Sequence, residues 1–172
     1  MFPLKLFYNC KNIFLHFLLI VNLISIPSSA ISKIVGDKIY IGTTFSLSGE
    51  NSSVSKSFKI KIDKLLKDIN QSGGINAGGK SYNLEIIFYN DESDSNKSNH
   101  LLVRLIQYDG VQFLIVLEDI NLSDKTQNTI NDYDISVVRS NEALLIYKEA
   151  FESVDSVNSK QIRDFLLKKI KN

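Results

Sequence analysis

Cysteine and tryptophan are nearly missing from this sequence, which contains one cysteine, Cys10, and no tryptophan. Cys10 precedes the apolar run of the N-terminal segment, whereas a lipoprotein cysteine would stand at the end of such a run. The chain beyond residue 30 therefore has no disulfide, no thiol nucleophile and no thiolate metal ligand. Histidine is also scarce, and the only one beyond residue 30 is His100. Cysteine–histidine catalysis is excluded, and a serine–histidine–aspartate triad would have to use His100.

A surplus of charge of either sign is also missing. The chain carries 20 basic and 19 acidic residues. Loss of the first thirty residues would remove Lys5 and Lys11, which leaves 18 basic residues against 19 acidic ones and a net charge of −1. There is no basic field for a nucleic acid and no acidic tail. We therefore expect no nucleic-acid partner.

The first thirty residues are typical of a secretory signal peptide. Lys5 and Lys11 precede an apolar run over residues 13–26, and small residues at Ser28 and Ala30 follow it. This order of charge, apolar run and small residues predicts cleavage after Ala30, with a periplasmic or secreted product. An uncleaved membrane anchor is the alternative, but a spanning helix needs about 20 apolar residues, and polar residues interrupt this shorter run. We expect no stable membrane association after cleavage.

Beyond Ala30, segments with the pattern of strands alternate with segments that have the spacing of helices. Apolar side chains such as Val54, Phe58 and Ile62 recur every three or four residues along the first helix, which Gly73 and Gly74 end. The predicted strands are residues 38–43, 82–89, 111–117 and 135–138. The predicted helices between them are 53–72, a second helix whose apolar face is Leu101, Leu102, Leu105 and Ile106, and about 125–132. Such alternation predicts an α/β fold, with a parallel sheet of about four strands and helices on both faces. Two amphipathic helices are predicted after Arg139.

One segment matches the phosphate-loop pattern letter for letter, namely residues 74–81. A phosphate loop must follow a strand and open a helix, so that backbone N–H groups converge on the phosphate. Here the glycines follow a helix and precede a strand. We interpret the segment as a helix cap and a turn into the second strand.

A short acidic segment follows the second strand and contains Asp91, Glu92 and Asp94. It lacks the longer ligand spacing of a calcium-binding loop. We interpret it as a solvated loop that caps the next helix. No nucleophile, base and orienting group occur together, so we expect no enzyme activity, no cofactor and no metal ion.

The sequence patterns and the order of five short segments between residues 39 and 141 are informative about the fold. They are residues 39–49, 68–75, 84–94, 105–111 and 135–138. The second, with its Asn-x-x-Gly-Gly-Ile core, is similar to the pattern Glu-Ile-Asn-Ala-Ala-Gly-Gly-Ile. Together they resemble the first lobe of the type I periplasmic binding proteins, in particular the leucine/isoleucine/valine-binding branch of ABC importers.

Residues 147–151 and 159–166 resemble two helices near the C-terminus of the same family. The chain thus joins the first lobe directly to these helices, and most of the second lobe is missing. After the signal peptide predicted over residues 1–30, the resemblance implies a first-lobe domain over 31–141 and a C-terminal helical segment over 142–172. It also implies a truncated or vestigial protein.

The family holds the α-carboxylate of an amino acid with backbone N–H groups and hydroxyls of loops after the strands. In this chain the loop after the third strand carries Glu118 and Asp119, which would repel a carboxylate. The remaining candidate ligand-binding residues are Ser48, Ser123, Ser140 and Asn141.

The resemblance implies a lobe of the solute-binding kind in an amino-acid ABC import system. Its expected partners are a weakly bound small amino acid and an ABC permease or a partner lobe. The alternative is an exported interaction or structural module that binds no small molecule.

Overall fold

The computed structural model describes residues 37–117 and 119–170. The predicted signal peptide lies outside these residues. Within the described residues, no helix combines the length and the apolar character that crossing a membrane requires.

The core of the fold is a five-stranded sheet with the order β2-β3-β1-β4-β5. The strands are β1 (Lys38–Phe45), β2 (Ile75–Ala77), β3 (Lys80–Asn90), β4 (Phe113–Ile115) and β5 (Ser136–Val138). β1 pairs in parallel with β3 on one side and with β4 on the other, and β5 extends the parallel part beyond β4. The predicted α/β fold with a parallel sheet is confirmed.

β2 was not predicted, and it forms the one antiparallel pair among the described strands. It pairs with the start of β3 through a turn at Gly78 and Gly79, which both have positive φ. Mirror-image turns of this kind suit hairpins and favour glycine. The segment that matches a phosphate loop is therefore a hairpin between a helix and a strand, and it opens no helix.

Five helices cover the two faces of the sheet. They are α1 (Ser52–Gln71), α2 (Ser95–Gln107), α3 (Asp124–Asp132), α4 (Ala143–Val154) and α5 (Ser159–Ile170). One face carries α1, α4 and α5, and the other carries α2 and α3. This arrangement confirms helices on both faces and two further helices after the last strand. The boundary at residue 141 between two units stays a prediction.

Tyr147 links helix α4 to the sheet by hydrogen bonds, and its side chain is fully buried. Its hydroxyl lies 2.9 Å from the Leu114 carbonyl oxygen and 2.8 Å from the Ser136 carbonyl oxygen, so it donates its proton between β4 and β5. Burial raises the pKa of the Tyr147 phenol, because ionisation would place a charge in the core.

We expect this raised pKa to appear as a loss of stability at high pH. An unfolded tyrosine titrates near pH 10, so above that pH the unfolded chain loses a proton that the folded chain keeps. Between pH 10 and 11.5 the unfolding free energy should therefore fall more steeply than in Tyr147→Phe, by up to about 1.4 kcal/mol per pH unit. Urea unfolding of both proteins at several pH values measures this difference, and equal slopes would contradict it.

Candidate functional site

The carboxyl ends of β1, β4 and β5 meet at one edge of the sheet because these strands are parallel. A cavity of about 360 Å³ lies at this edge, between the loops that follow the three strands and the first turns of α1. Its polar lining residues are Ser46, Asn51, Ser55, Asp119, Ser140 and Asn141. Ligands of open α/β sheets bind in the crevice outside the carboxyl ends of the strands, which makes this cavity the candidate site.

The loop after β1 is held by paired side chains from distant parts of the chain. The Ser46 amide donates to Ser55 Oγ at 2.8 Å, and the Ser46 hydroxyl donates to Asp91 Oδ1 at 2.6 Å. The Leu47 amide donates to Asn90 Oδ1 at 2.8 Å. These bonds fix the loop against α1 and the end of β3.

Asp91 supports this loop from behind without lining the cavity, and its side chain is only 3% exposed, which is unusual for a carboxylate. Besides the Ser46 hydroxyl, its Oδ1 accepts from the Ser93 amide at 3.1 Å. Bonds to a carboxylate are stronger than those between neutral groups and offset the cost of burying it. The prediction that this segment is solvated is wrong at Asp91, whereas the predicted cap is confirmed at Asp94, which accepts from two amides of α2.

The apolar wall of the cavity consists of Val54, Phe58 and Leu117. Phe58 is buried and contacts Phe45 edge to face, with ring centroids 6.0 Å apart. The helical spacing predicted Val54 on the buried face of α1, but its side chain is 77% exposed. Val54 lies at the mouth of the cavity in the first turn of α1, where no element covers it.

Asp119 is the one ionisable residue among those that line this cavity. It is exposed, whereas the Ser46 and Ser55 hydroxyls that also line the cavity are neutral and already hydrogen-bonded within the protein. A negative charge at the mouth attracts an ammonium group and repels a carboxylate. Of the acidic pair predicted for this loop, Glu118 lies outside the described residues.

The structure brings two of the four predicted ligand-binding residues to the cavity, Ser140 and Asn141. The other two lie in neighbouring loops: Ser48 Oγ accepts from Asn90 Nδ2 at 3.2 Å, and Ser123 Oγ accepts from the Thr126 amide at 3.3 Å, capping α3. Ser140 Oγ accepts from the Glu142 amide at 3.1 Å, ahead of α4. Asn141 is exposed, so its amide is accessible to a ligand.

Sequence reasoning missed Ser46, Asn51 and Ser55 as lining residues. A signal for Ser55 existed, because this serine is three residues before Phe58 and seven before Ile62, on the apolar face of α1. A buried serine at such a position has to find a polar partner. Its partner, the Ser46 amide, lies in the loop after β1, nine residues before Ser55. No local sequence pattern predicts that pairing.

His100, the histidine that a catalytic triad would need, is exposed on α2. Among the described residues, no three acidic, histidine or cysteine side chains are placed to hold a metal ion.

No family model matches the chain. Among solved structures, the substrate-binding protein of an ABC transporter from Aeropyrum pernix is similar, with a TM-score of 0.53 and 16% identity over 61% of this chain. A protein from Silicibacter pomeroyi, described as a candidate branched-chain amino acid ABC transporter, is also similar, with a TM-score of 0.51 and 21% identity over 66% of this chain. The chain has the fold of one lobe of an ABC-transporter substrate-binding protein.

The match covers 27% of the Aeropyrum protein and 28% of the Silicibacter protein. The chain thus spans less than a third of the length of either structure. These matches confirm the fold that the sequence motifs indicate. Sequence identities of 16% and 21% show a shared fold and nothing more.

Proposed function

We propose that this chain is an exported lobe of the solute-binding kind, that it serves an amino-acid ABC import system, and that it binds its ligand weakly. The observation that carries the proposal is the cavity at the carboxyl edge of the sheet, which combines an apolar wall with a carboxylate, two amides and hydroxyls. Such a mixture suits a small molecule with an apolar side chain and a polar, positively charged end.

In this proposal the ligand's ammonium group lies beside Asp119, and Ser140 and Asn141 supply hydrogen bonds. The apolar side chain of the ligand packs on Phe58 and Leu117. Ser48 and Ser123 do not line the cavity, and their hydroxyls bond to Asn90 and to Thr126, so in this proposal they support the site without contacting the ligand. This assignment favours amino acids through their ammonium group rather than through their carboxylate.

Weak binding follows from the shape of the site. The cavity is open to solvent and is lined only by the loops after β1, β4 and β5 and by the start of α1, so a ligand is covered by one set of loops. Each hydrogen bond to a charged group contributes about 1.5–3 kcal/mol, and the entropic cost of association is several kcal/mol. The balance corresponds to a dissociation constant of about 1 mM, or roughly 4 kcal/mol.

The proposed partners are an ABC permease or a separate partner lobe, and the proposed location is the periplasm or the exterior. A lobe that closes on a second lobe gains contacts in the closed state that it lacks alone. We therefore include in the proposal that the protein is truncated relative to two-lobed binding proteins, and that without a partner it is vestigial.

The test compares three compounds that share one apolar side chain: leucine, isoamylamine without the carboxylate, and 4-methylpentanoate without the ammonium group. In NMR titrations we expect isoamylamine to shift the Asn141 and Asn51 signals with a dissociation constant of about 1 mM. Leucine should bind more weakly, and 4-methylpentanoate should cause no saturable shift. A micromolar constant for leucine, or preference for 4-methylpentanoate, would contradict the proposal.

Two matched variants locate the binding site. Asn141→Ala should weaken isoamylamine binding at least threefold, whereas Asn128→Ala, an exposed asparagine of α3, should leave it unchanged. Asp119→Asn should abolish the preference for isoamylamine over 4-methylpentanoate, because it removes the one charge of the lining. If none of the three compounds binds, the alternative of an interaction module without small-molecule binding replaces this proposal.

A further inference from the structure

A small polar cavity of about 60 Å³ adjoins the candidate site, between the loop after β3 and the first turn of α2. The two cavities are adjacent because three residues line both of them, namely Ser46, Asn51 and Asp119. We call the smaller cavity the annex, and its further lining includes Asp91, Asp94 and Ser98. A water molecule in the liquid takes about 30 Å³, so the annex admits a group of that size but no bulky one.

One oxygen of the Asp91 carboxylate is free to bind a ligand in the annex. The Ser46 hydroxyl and the Ser93 amide both donate to Oδ1, and no described residue donates to Oδ2. Over the described part of the chain, Ser136 Oγ is the one side-chain polar atom that is both completely enclosed and without a partner, so Oδ2 is not enclosed. Because Asp91 is only 3% exposed and lines the annex, Oδ2 faces the annex. A buried carboxylate oxygen without a bond favours a ligand that donates.

The charges around the annex favour a cation. Its ionisable lining residues are Asp91, Asp94 and Asp119, and the described lining includes no basic side chain. Asp94 is already engaged, since its Oδ1 accepts from the amides of Asn96 and Lys97 at the start of α2. Within the described ranges, no three carboxylates are placed to hold a metal ion. An ammonium group needs no such set, because it binds through single hydrogen bonds of about 2.7–2.9 Å to separate oxygen atoms.

We propose that the annex receives an unsubstituted primary ammonium group, which makes primary amines with an apolar chain the ligand class of the site. This inference rests on the proposed function, in which an ammonium group lies beside Asp119. Two of its three N–H groups donate to Asp91 Oδ2 and to Asp119, and the third donates to the Ser98 hydroxyl, which can itself donate to Thr44 Oγ1 at 2.8 Å. The chain of the ligand extends from the annex onto the apolar wall of the larger cavity.

Substitution of the nitrogen atom is what the annex distinguishes. A trimethylammonium group carries the same charge as a primary ammonium group but has no N–H donor. Asp119 attracts both groups, whereas only the primary group can satisfy Asp91 Oδ2. A trimethylammonium group would cover this oxygen without bonding to it, and an ionised acceptor left unpaired is costly. The annex therefore selects by hydrogen bonds between ligands that charge alone does not separate.

The test uses isoamylamine and its N,N,N-trimethyl derivative, which share one chain and one charge. In NMR titrations of the purified chain, we expect isoamylamine to shift the amide signals of Ser93 and Ser98 with a dissociation constant of about 1 mM. The trimethyl derivative should bind at least tenfold more weakly. Equal binding of the two would overturn this inference and leave the proposed function intact, because a cation would still bind beside Asp119.

Asp91→Asn tests the role of Oδ2. Since Ser46 and Ser93 both donate to Oδ1, the amide oxygen takes that position and the NH2 group faces the annex as a donor. The preference for isoamylamine should then fall from at least tenfold to less than twofold. A role in positioning the loop alone would weaken both ligands alike and keep the preference, which would overturn the inference. The same substitution at an exposed residue in the first turn of α3, Asp124→Asn, should leave both constants unchanged.

A probe without a chain separates the annex from the larger cavity. Methylammonium chloride at about 0.1 M should shift the Ser98 amide signal, whereas tetramethylammonium chloride and sodium chloride at the same ionic strength should not. This result combined with no binding of isoamylamine would contradict the proposed function and retain the annex. An equal response to the three salts would overturn the annex as an ammonium site.

Discussion

Replacement of Phe151 by alanine is expected to lower the free energy of unfolding by about 4 kcal/mol, the largest effect that we expect from one substitution. Phe151 is fully buried on α4 and packs against Phe113 of β4, with ring centroids 4.9 Å apart, and against Tyr147 at 5.9 Å. Alanine would leave a cavity between the helix and the sheet, and both the lost burial and the unfilled space destabilise. Urea unfolding followed by circular dichroism measures the change.

The matched control is Leu145→Ala in the same helix. Leu145 is 44% exposed, so its loss should cost less than about 1 kcal/mol. The comparison also tests whether α4 is part of the folding unit of the sheet. If α4 were an appended segment, Phe151→Ala would leave the unfolding of the sheet unchanged, and equal effects of the two variants would contradict the packing of Phe151 against β4.

The order of strands and helices could be predicted from the sequence because each element carries a strong local period. Phe58 and Ile62 have helical spacing, and the run around Leu114 is apolar enough for a strand that is buried on both faces. β2 could not be predicted in this way, since its three residues are too few to show an alternation. The adjacent pair Gly78 and Gly79 was the available signal, because glycine pairs favour hairpin turns.

The candidate site was predictable only in part, for a different reason. Ser140 and Asn141 lie two and three residues after the end of β5, and the parallel sheet brings such positions to one edge. Ser46 and Asp91 form a hydrogen bond although they are 45 residues apart in the sequence. No local sequence pattern predicts a partner at that distance. Val54 shows the limit of periodicity, since helical spacing identifies a face but not whether another element covers its end.

The second large effect that we expect concerns this Ser46–Asp91 pair. Replacement of Asp91 by alanine should lower the free energy of unfolding by about 3 kcal/mol, because the Ser46 hydroxyl and the Ser93 amide would lose an ionised acceptor in a buried place. Asp91→Asn should cost less, about 1–2 kcal/mol, since an amide oxygen still accepts both bonds but without the charge. As the control, Asp63→Ala removes an exposed aspartate that pairs with Lys59 on α1, and it should change stability by at most about 0.5 kcal/mol.

A double-mutant cycle separates the pair from the general cost of altering the loop. Ser46→Ala and Asp91→Asn should be non-additive, with a coupling energy of about 1–2 kcal/mol, because each variant removes a group that the other needs. The same variants should weaken isoamylamine binding by altering the position of the loop after β1, although Asp91 does not line the cavity of about 360 Å³. Strict additivity, with isoamylamine binding unchanged in both single variants, would mean that Asp91 does not hold the edge of the site.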